Sequence, residues 1–325
     1  MRAAVVHSFD APPRYGTVAT PEPRGEHEIL VDVLAAGLHP RVRSGADGSH
    51  YTSEGVLPLV PGIDAVGRTP RGELFYFVAP DGATGTMAER AVVDRRRAVT
   101  LPAGTDPVAV AAAMNPAMSS WVALRRRAPL RPGASVLVLG ATGSAGRLAV
   151  RIARHLGAAH VVAAGRDPER LALLLGLGAD ETVPLRGDPE KTADHLGRAA
   201  GDVDIVLDYV WGPATEHALP ALLTARAERA RPLAWVQIGS VAGPDITLPS
   251  AFLRGANLQL MGSGQGSVST AGILAELPLL AELITSGTLA VDTLPVPLSR
   301  VEQVWTAPEA PGQRVVLTPD GGLSA

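Results

Sequence analysis

Three glycines stand in the run Ser135-Val-Leu-Val-Leu-Gly140-Ala141-Thr142-Gly143-Ser144-Ala145-Gly146-Arg-Leu-Ala-Val, each separated from the next by two residues. The apolar stretch before them reads as a buried strand, and the stretch after them as an amphipathic helix. A strand, a glycine turn and a helix N-terminus make a cradle for the pyrophosphate of a dinucleotide. Glycine allows the tight turn, the close backbone approach and the close helix–strand packing, and the first helical N–H groups face the anion. A glycine-rich turn with no ligand is the competing reading. The next strand ends in Val161-Val-Ala-Ala-Gly165-Arg166-Asp167-Pro168-Glu169. A carboxylate at such a strand end holds the ribose hydroxyls of NAD, whereas an arginine accommodates a 2′-phosphate. Asp167 before Pro168 reads as a helix cap, a device repeated in Asp188-Pro189-Glu190. Arg166 is then the selecting group, and the expected cofactor is NADP(H).

Composition removes several other chemistries. The chain has 325 residues, a net charge of -3, 46% hydrophobic and 19% charged residues, and no cysteine. Disulfides, thiolate nucleophiles and cysteine-ligated zinc are excluded, and the charge argues against a nucleic-acid partner held by phosphate contacts. Lys191 is the sole lysine and follows Glu190, so there is no Walker A loop. The residues four beyond the tyrosines are Ala19, Gly55, Pro80 and Pro213, so no Tyr-x-x-x-Lys dyad exists. The N-terminus reads as a strand rather than a signal peptide, and no apolar run approaches 18 residues. A cytoplasmic protein is expected.

The elements needed to hold this turn follow from the pattern. Up to about Ala113 short apolar segments (Ile29–Leu34, Leu74–Val78, Met87–Val93) alternate with Pro- and Gly-rich turns, which predicts a β-rich region. Thr105-Asp106-Pro107 predicts a helix start continuing through Val108–Met114. Strands are then expected at Ser135–Leu139, His160–Ala164, Glu181–Val183, Val203–Asp208, Leu233–Ile238 and Asn257–Met261. Helices are expected at Ala145–Leu156, Pro168–Leu175, Pro189–Ala199 and Ala214–Ala225. This is the grammar of an α/β, doubly wound Rossmann domain with a six-stranded parallel sheet. A long helix over Thr270–Ser286, a strand Thr293–Leu298, a short helix Val301–Thr306 and a strand Arg314–Thr318 complete the chain. The tail is expected to return to the first domain, giving a catalytic domain of residues 1–116 and 287–325 and a dinucleotide-binding domain of residues 117–286.

With these residues in place, the chain resembles the medium-chain dehydrogenase/reductase superfamily, and within it the zinc-independent quinone oxidoreductases and related enoyl reductases. The resemblance covers nearly the whole chain. It rests on Gly37-Leu-His39-Pro40, Val60-Pro61-Gly62-Ile63-Asp64-Ala-Val-Gly67, Gly85-Thr-Met-Ala-Glu89, the Gly140–Gly146 turn, Val236-Gln-Ile238-Gly239-Ser240, Gly262-Ser263-Gly264-Gln-Gly266-Ser267 and Gly312-Gln-Arg314. It implies a GroES-like β-rich catalytic domain beside the Rossmann domain. Zinc-dependent relatives place cysteine where His39 stands and a histidine–glutamate pair where this chain has Ile63-Asp64, so no metal is expected. The segment Gly67–Tyr76 is shorter than in relatives.

The resemblance also implies site residues. Tyr209 and Val210, Ile238, Gly239 and Ser240, and Gly262, Ser263 and Gly264 are expected to contact the cofactor, together with Gly140, Thr142, Gly143, Ser144, Ala145, Gly146, Gly165 and Arg166. The implied reaction is hydride transfer from NADPH to a quinone or an α,β-unsaturated carbonyl. Tyr51, His39 and Ser119 are the expected donors to the developing oxyanion. A redox sensor that binds NADPH with little turnover is the alternative. Asn257–Met261 is expected to pair with its copy across a two-fold axis, giving a homodimer that hides a sheet edge.

Overall fold

The structure is a computed structural model describing residues 1–50, 52–79, 84–307 and 312–321. They pack as two units, Met1–Asn115 with Thr270–Ala325, and Pro116–Ser269. Tyr51 lies outside the described residues.

The first unit begins with β1 (Arg2–Val5), β2 (Arg14–Thr17), β3 (Glu28–Gly37), α1 (Pro40–Ala46), β4 (Asp64–Arg68), β5 (Leu74–Val78), β6 (Arg90–Asp94) and β7 (Ala98–Thr100). The 10-residue β3 is its spine. The first half of β3 pairs antiparallel with β6, and its centre pairs antiparallel with β4. The segment that is short relative to the resembled family forms a tight hairpin from β4 to β5. Thr69 Oγ1 accepts from the backbone N–H of Arg71 (3.3 Å) and Glu73 (3.1 Å), and Gly72 takes φ +85°. Gly37 ends β3 where a Cβ would lie 2.5 Å from the Ala111 carbonyl oxygen, so glycine is required for the following helix to pack there.

That helix, α2 (Pro107–Val122), runs further than its expected end at Met114. Asp106 caps it, accepting from Val108 N–H at 2.9 Å. The continuous helical stretch Pro107–Arg127 has 21 residues and a mean hydropathy of 1.2, enough by length and composition to cross a membrane. This corrects the expectation that no apolar run approaches that length. The interruptions at Asn115, Ser119 and Ser120 do not break the helix, and 72% of its apolar window is buried within the protein, as for a core helix.

The second unit alternates strictly: β8 (Ser135–Leu139), α3 (Ser144–His155), β9 (His160–Gly165), α4 (Pro168–Leu175), β10 (Glu181–Pro184), α5 (Pro189–Ala200), β11 (Ile205–Asp208), α6 (Gly212–Ala225), β12 (Leu233–Gln237), α7 (Ser250–Gly255) and β13 (Leu258–Gly262). All six strands are parallel, in the order β10-β9-β8-β11-β12-β13. This is the doubly wound order in which the chain reverses direction at β8 and opens a crevice at the strands' carboxyl ends. Central strands are apolar on both faces because helices cover both. Leu137, Leu139, Val162, Val206 and Trp235 are fully buried. Asp167 and Asp188 cap α4 and α5 through the N–H groups two and three residues on, as their Asp-Pro-Glu sequences predict.

The chain then returns to the first unit through α8 (Thr270–Leu274), α9 (Leu277–Thr285), β14 (Asp292–Pro297), α10 (Val301–Thr306) and β15 (Gln313–Thr318). The single helix expected over Thr270–Ser286 is two. Pro278 lacks the N–H that would continue the ladder and so occupies the first turn of a new helix. Residues 270–286, expected with the nucleotide unit, pack with the first unit, where Thr285 Oγ1 lies 3.2 Å from Thr105 Oγ1. β15 pairs antiparallel with the end of β3 and parallel with β14, so the tail completes the sheet that the N-terminal strands begin.

Candidate functional site

The glycine turn is pinned to the neighbouring strand by two bonds, Gly140 N–H and Ala141 N–H both donating to the Ala164 carbonyl at 2.9 Å. Each glycine has a different reason. Gly140 takes φ +87°, in the left-handed region. A Cβ on Gly146 would lie 2.3 Å from the Gly140 carbonyl oxygen and 2.6 Å from Ala141 Cα, so close helix–turn packing demands glycine. Gly143 has neither reason: its φ is -77° and a Cβ there would meet nothing nearer than 3.6 Å. It is the N-cap of α3, and no side chain caps that helix. The first helical bond is Arg147 N–H to the Gly143 carbonyl (2.9 Å), so the N–H groups of Ser144, Ala145 and Gly146 precede the ladder. Space kept open beside an uncapped 12-residue helix is what a pyrophosphate needs.

Beside the turn, Gly165 ends β9 against Thr142, whose Cγ2 would lie 2.6 Å from a Cβ. Thr142, Arg166, Asp167, Glu169, Arg170 and Arg186 line a cavity of about 660 Å³. Arg170 is paired with Asp167 at 3.2 Å. Arg166 and Arg186 have no ion pair among the described residues. Two guanidinium groups without an ion pair, at the ends of adjacent strands, have the charge and donors to hold a dianion. Sequence reasoning missed Arg186. It stands just beyond the third strand of the unit, where only the strand order brings it to Arg166.

On the other side of the turn, Asp208 organises the loop that carries Tyr209 and Val210. Its fully buried carboxylate accepts from Val210 N–H and Trp211 N–H (2.9 Å each), Thr215 Oγ1 (2.6 Å) and Trp235 Nε1 (3.0 Å). Trp211 is held at φ 53°, ψ -163°, a conformation costing about 1–3 kcal/mol in a non-glycine residue. The loop packs on Gly140, where a Cβ would lie 3.0 Å from Val210 Cγ1. It also packs on Gly239, where a Cβ would lie 2.8 Å from the Tyr209 carbonyl oxygen. Ser119, in the second-unit part of α2, donates to the Pro116 carbonyl at 2.8 Å and lies 3.0 Å from the Tyr209 hydroxyl. Either hydroxyl can be the donor in that pair. Burial pushes the Tyr209 phenol up to about 12, with hydrogen bonds to Ser119 and Ser120 pulling the other way.

Ile238 and Gly239 close the neighbouring strand end, their N–H groups donating to the Asp208 carbonyl at 2.8 and 3.1 Å. Ser240 and Gly264 are exposed. Gly262 ends the edge strand, and Arg127 Nε donates to its carbonyl at 2.8 Å. The expected cofactor residues therefore all lie at the carboxyl ends of one parallel sheet. A larger cavity, about 930 Å³, lies at the opposite strand ends, where Ser135 and His160 begin β8 and β9. It is lined by α5 and α6 and contains none of the glycine turn.

In the first unit, His39 is buried at 1% exposure rather than displayed on a surface. Its Nε2 lies 2.9 Å from Asp64 Oδ1, and the Tyr76 hydroxyl donates to Asp64 Oδ2 at 3.0 Å. Burial is the main cause that raises the Tyr76 phenol well above its ordinary value, followed by the Asp64 charge. His39 Nδ1 is buried without a protein partner, a cost of about 1–3 kcal/mol for such a group. The imidazole and carboxylate that stand at the resembled family's metal positions are thus bonded to each other. Among the described residues, no three His, Cys, Asp or Glu side chains gather as a ligand set. The same unit has a cavity of about 490 Å³ walled by Val42, Val56, Leu59 and Ile63, with Arg41 and Thr52 at hydrogen-bond distance (2.6 Å) in its lining.

A β-rich unit closed by the returning tail, and a doubly wound sheet with an open phosphate cradle, define a nucleotide-dependent oxidoreductase class. Residues 145–282 match the family described as zinc-binding dehydrogenase. The protein assigned as the NADPH-dependent quinone reductase tdiC of Emericella nidulans is 33% identical, over 98% of this chain and 100% of its own length. The crystal structure of the quinone oxidoreductase from Thermus thermophilus, studied also in complex with NADPH, superposes with a TM-score of 0.79 at 30% identity, covering 98% of this chain and 100% of that one. The chloroplastic NADPH-dependent alkenal/one oxidoreductase of Arabidopsis thaliana is 27% identical over 57% of this chain and 50% of its own length. The chain belongs to the medium-chain dehydrogenase/reductase superfamily, in its zinc-independent quinone reductase branch. The matched family region lies in the nucleotide unit and its return, and excludes both His39 and Asp64.

Proposed function

We propose that this chain is an NADPH-dependent reductase of quinones or α,β-unsaturated carbonyls. The observation that carries the reading is Gly143, a glycine with no packing or conformational reason of its own, beside an uncapped helix and an uncompensated arginine pair. The three features match the pyrophosphate and 2′-phosphate of one cofactor. The names of the Emericella, Thermus and Arabidopsis relatives support the same cofactor and acceptor class.

Bound at this turn, NADPH supplies the hydride and its electron pair. The chain's own contribution is binding and orientation. Ser144, Ala145 and Gly146 N–H groups would take the pyrophosphate, and Arg166 with Arg186 the 2′-phosphate. Tyr209, Val210, Ile238, Gly239, Ser240, Gly262, Ser263 and Gly264 would line the remaining strand ends. Asp208 and Ser119 hold the Tyr209 loop against the turn. A flat conjugated acceptor spreads incoming charge and so needs no metal to polarise it. Tyr51 and Ser119 remain proposed donors to that charge, alongside His39. We also propose a cytoplasmic homodimer joined through Asn257–Met261: β13 is the last strand of its sheet, paired on one side by β12, and its free edge suits a second copy.

NADPH consumption with a panel of naphthoquinones and enones tests the reading. Turnover with members of the panel and little with NADH is expected. Tight NADPH binding with no consumption by any acceptor would replace it with the sensor reading.

A further inference from the structure

Both hydrogen bonds by which Asp167 caps α4 end on one carboxylate oxygen. Oδ1 accepts from the backbone N–H groups of Glu169 (3.1 Å) and Arg170 (3.2 Å). The other oxygen, Oδ2, lies 3.2 Å from Arg170 Nε. One oxygen starts the helix and the other holds a cation, so the second task can be given up without loss of the first. The hold is loose. The Arg170 and Asp167 side chains are 33% and 42% exposed. Arg170 is ion-paired there, and its side chain donates no hydrogen bond among the described residues. Half-exposed pairs of this kind contribute little. Arg170 also lines the same cavity as Arg166 and Arg186, with Thr142, Asp167 and Glu169. Arg166 follows β9, Arg186 follows β10, and Arg170 stands on the first turn of the helix between those neighbouring strands. One space is thus bordered by three guanidinium groups, one of them lightly restrained.

We propose that Arg170 is a specificity-determining residue that leaves Asp167 Oδ2 when a 2′-phosphate enters this cavity, and that Asp167 is its positioning residue. This rests on the NADPH reading above. A phosphate carries more charge than a carboxylate and offers three oxygens to guanidinium donors, so it draws Arg170 off a misaligned pair. Asp167 keeps its Oδ1 bonds throughout, and α4 stays capped. The phosphate then has Arg170 as a third guanidinium beside Arg166 and Arg186. A nucleotide with a free 2′-hydroxyl brings no charge to this place, and Arg170 stays on Asp167. The exchange therefore adds to discrimination between the two nucleotides. The Asp167 charge works in both directions. It holds Arg170 at the cavity when the site is empty, and it competes with the phosphate for the same cation. Glu169, the other carboxylate of the lining, has no ion pair among the described residues and repels the phosphate with or without the exchange.

The test is calorimetric binding of adenosine 2′,5′-bisphosphate and adenosine 5′-monophosphate to the full chain, which needs no turnover. Wild type, Arg170→Gln, Asp167→Asn and the double variant are compared. Asparagine retains an oxygen for the helix cap and lacks the charge. Arg170→Gln should weaken the bisphosphate roughly 10-fold, the scale of one hydrogen bond to a charged group, and change the monophosphate by less than about two-fold. Asp167→Asn should tighten the bisphosphate, because its competitor for Arg170 is gone. In the Asp167→Asn background, Arg170→Gln should cost the bisphosphate at least as much as it does in wild type. A cost that disappears in that background overturns the proposal, since Arg170 then serves only to neutralise Asp167. So does an Arg170→Gln variant that binds the bisphosphate as wild type does, or one that loses both nucleotides equally. Wild type that binds the bisphosphate no more tightly than the monophosphate defeats the NADPH reading itself, a separate outcome.

Discussion

The Tyr209 hydroxyl and Ser119 Oγ are hydrogen-bonded across 3.0 Å, joining the loop after β11 to the end of α2. Burial raises this phenol from 10.0 to about 12. Below pH 10 folded and unfolded chains both keep the proton. Above it the unfolded chain loses its proton first, so the contribution to stability is lost as pH rises toward about 12. Tyr76 is raised in the same direction. Urea midpoints of wild type should therefore fall through this window, and Tyr209→Phe should fall less steeply. An equal slope would mean that the phenol is not held as described.

Gly143 and Gly146 separate binding from folding. Gly146→Ala places a Cβ 2.3 Å from the Gly140 carbonyl and should destabilise the fold by roughly 1–3 kcal/mol. Gly143→Ala meets nothing nearer than 3.6 Å and should leave the unfolding midpoint almost unchanged while weakening NADPH binding. Calorimetric binding and thermal melts on the two variants check both halves.

Arg166 and Arg186 line one cavity. Arg166→Ala or Arg186→Ala should weaken NADPH by about 1.5–3 kcal/mol, the scale of a hydrogen bond to a charged group. NADH affinity should barely change. Equal losses for both nucleotides would remove the 2′-phosphate assignment.

Asp208→Ala would strip the acceptor from Val210 N–H, Trp211 N–H, Thr215 and Trp235 at once. Each buried unsatisfied donor costs about 1–3 kcal/mol, not additively. A loss of at least about 3 kcal/mol is expected in urea unfolding. Release of the Trp211 backbone should accompany it, read as a tryptophan emission shift.

Much of the nucleotide unit was legible because its signals are local. Ser135–Leu139 and Pro168–Leu175 fall where apolar runs and an Asp-Pro-Glu start place them. Both Asp-Pro-Glu caps close on their own backbone. The expected long helix over Thr270–Ser286 failed at Pro278, a breaker that apolar periodicity masked. α2 outran its expected end because tertiary burial outweighed the helix-weakening residues Asn115 and Pro116. Tyr51 is outside the described residues, so its role stands on resemblance.

Residue type and short-range spacing were enough for the alternation of strands and helices, the glycine cradle with its expected cofactor, and the exclusion of thiol and lysine chemistry. Each of these depends on positions a few residues apart. Which distant groups meet is a property of the folded chain. Strand order sets Arg186 beside Arg166. Sheet register sets Tyr76 and His39 on the two oxygens of Asp64, and brings the Trp235 indole to Asp208. Hydrogen bonds require alignment within fractions of an ångström, and between residues far apart in sequence that alignment comes from sheet pairing and packing, which spacing along the chain does not encode.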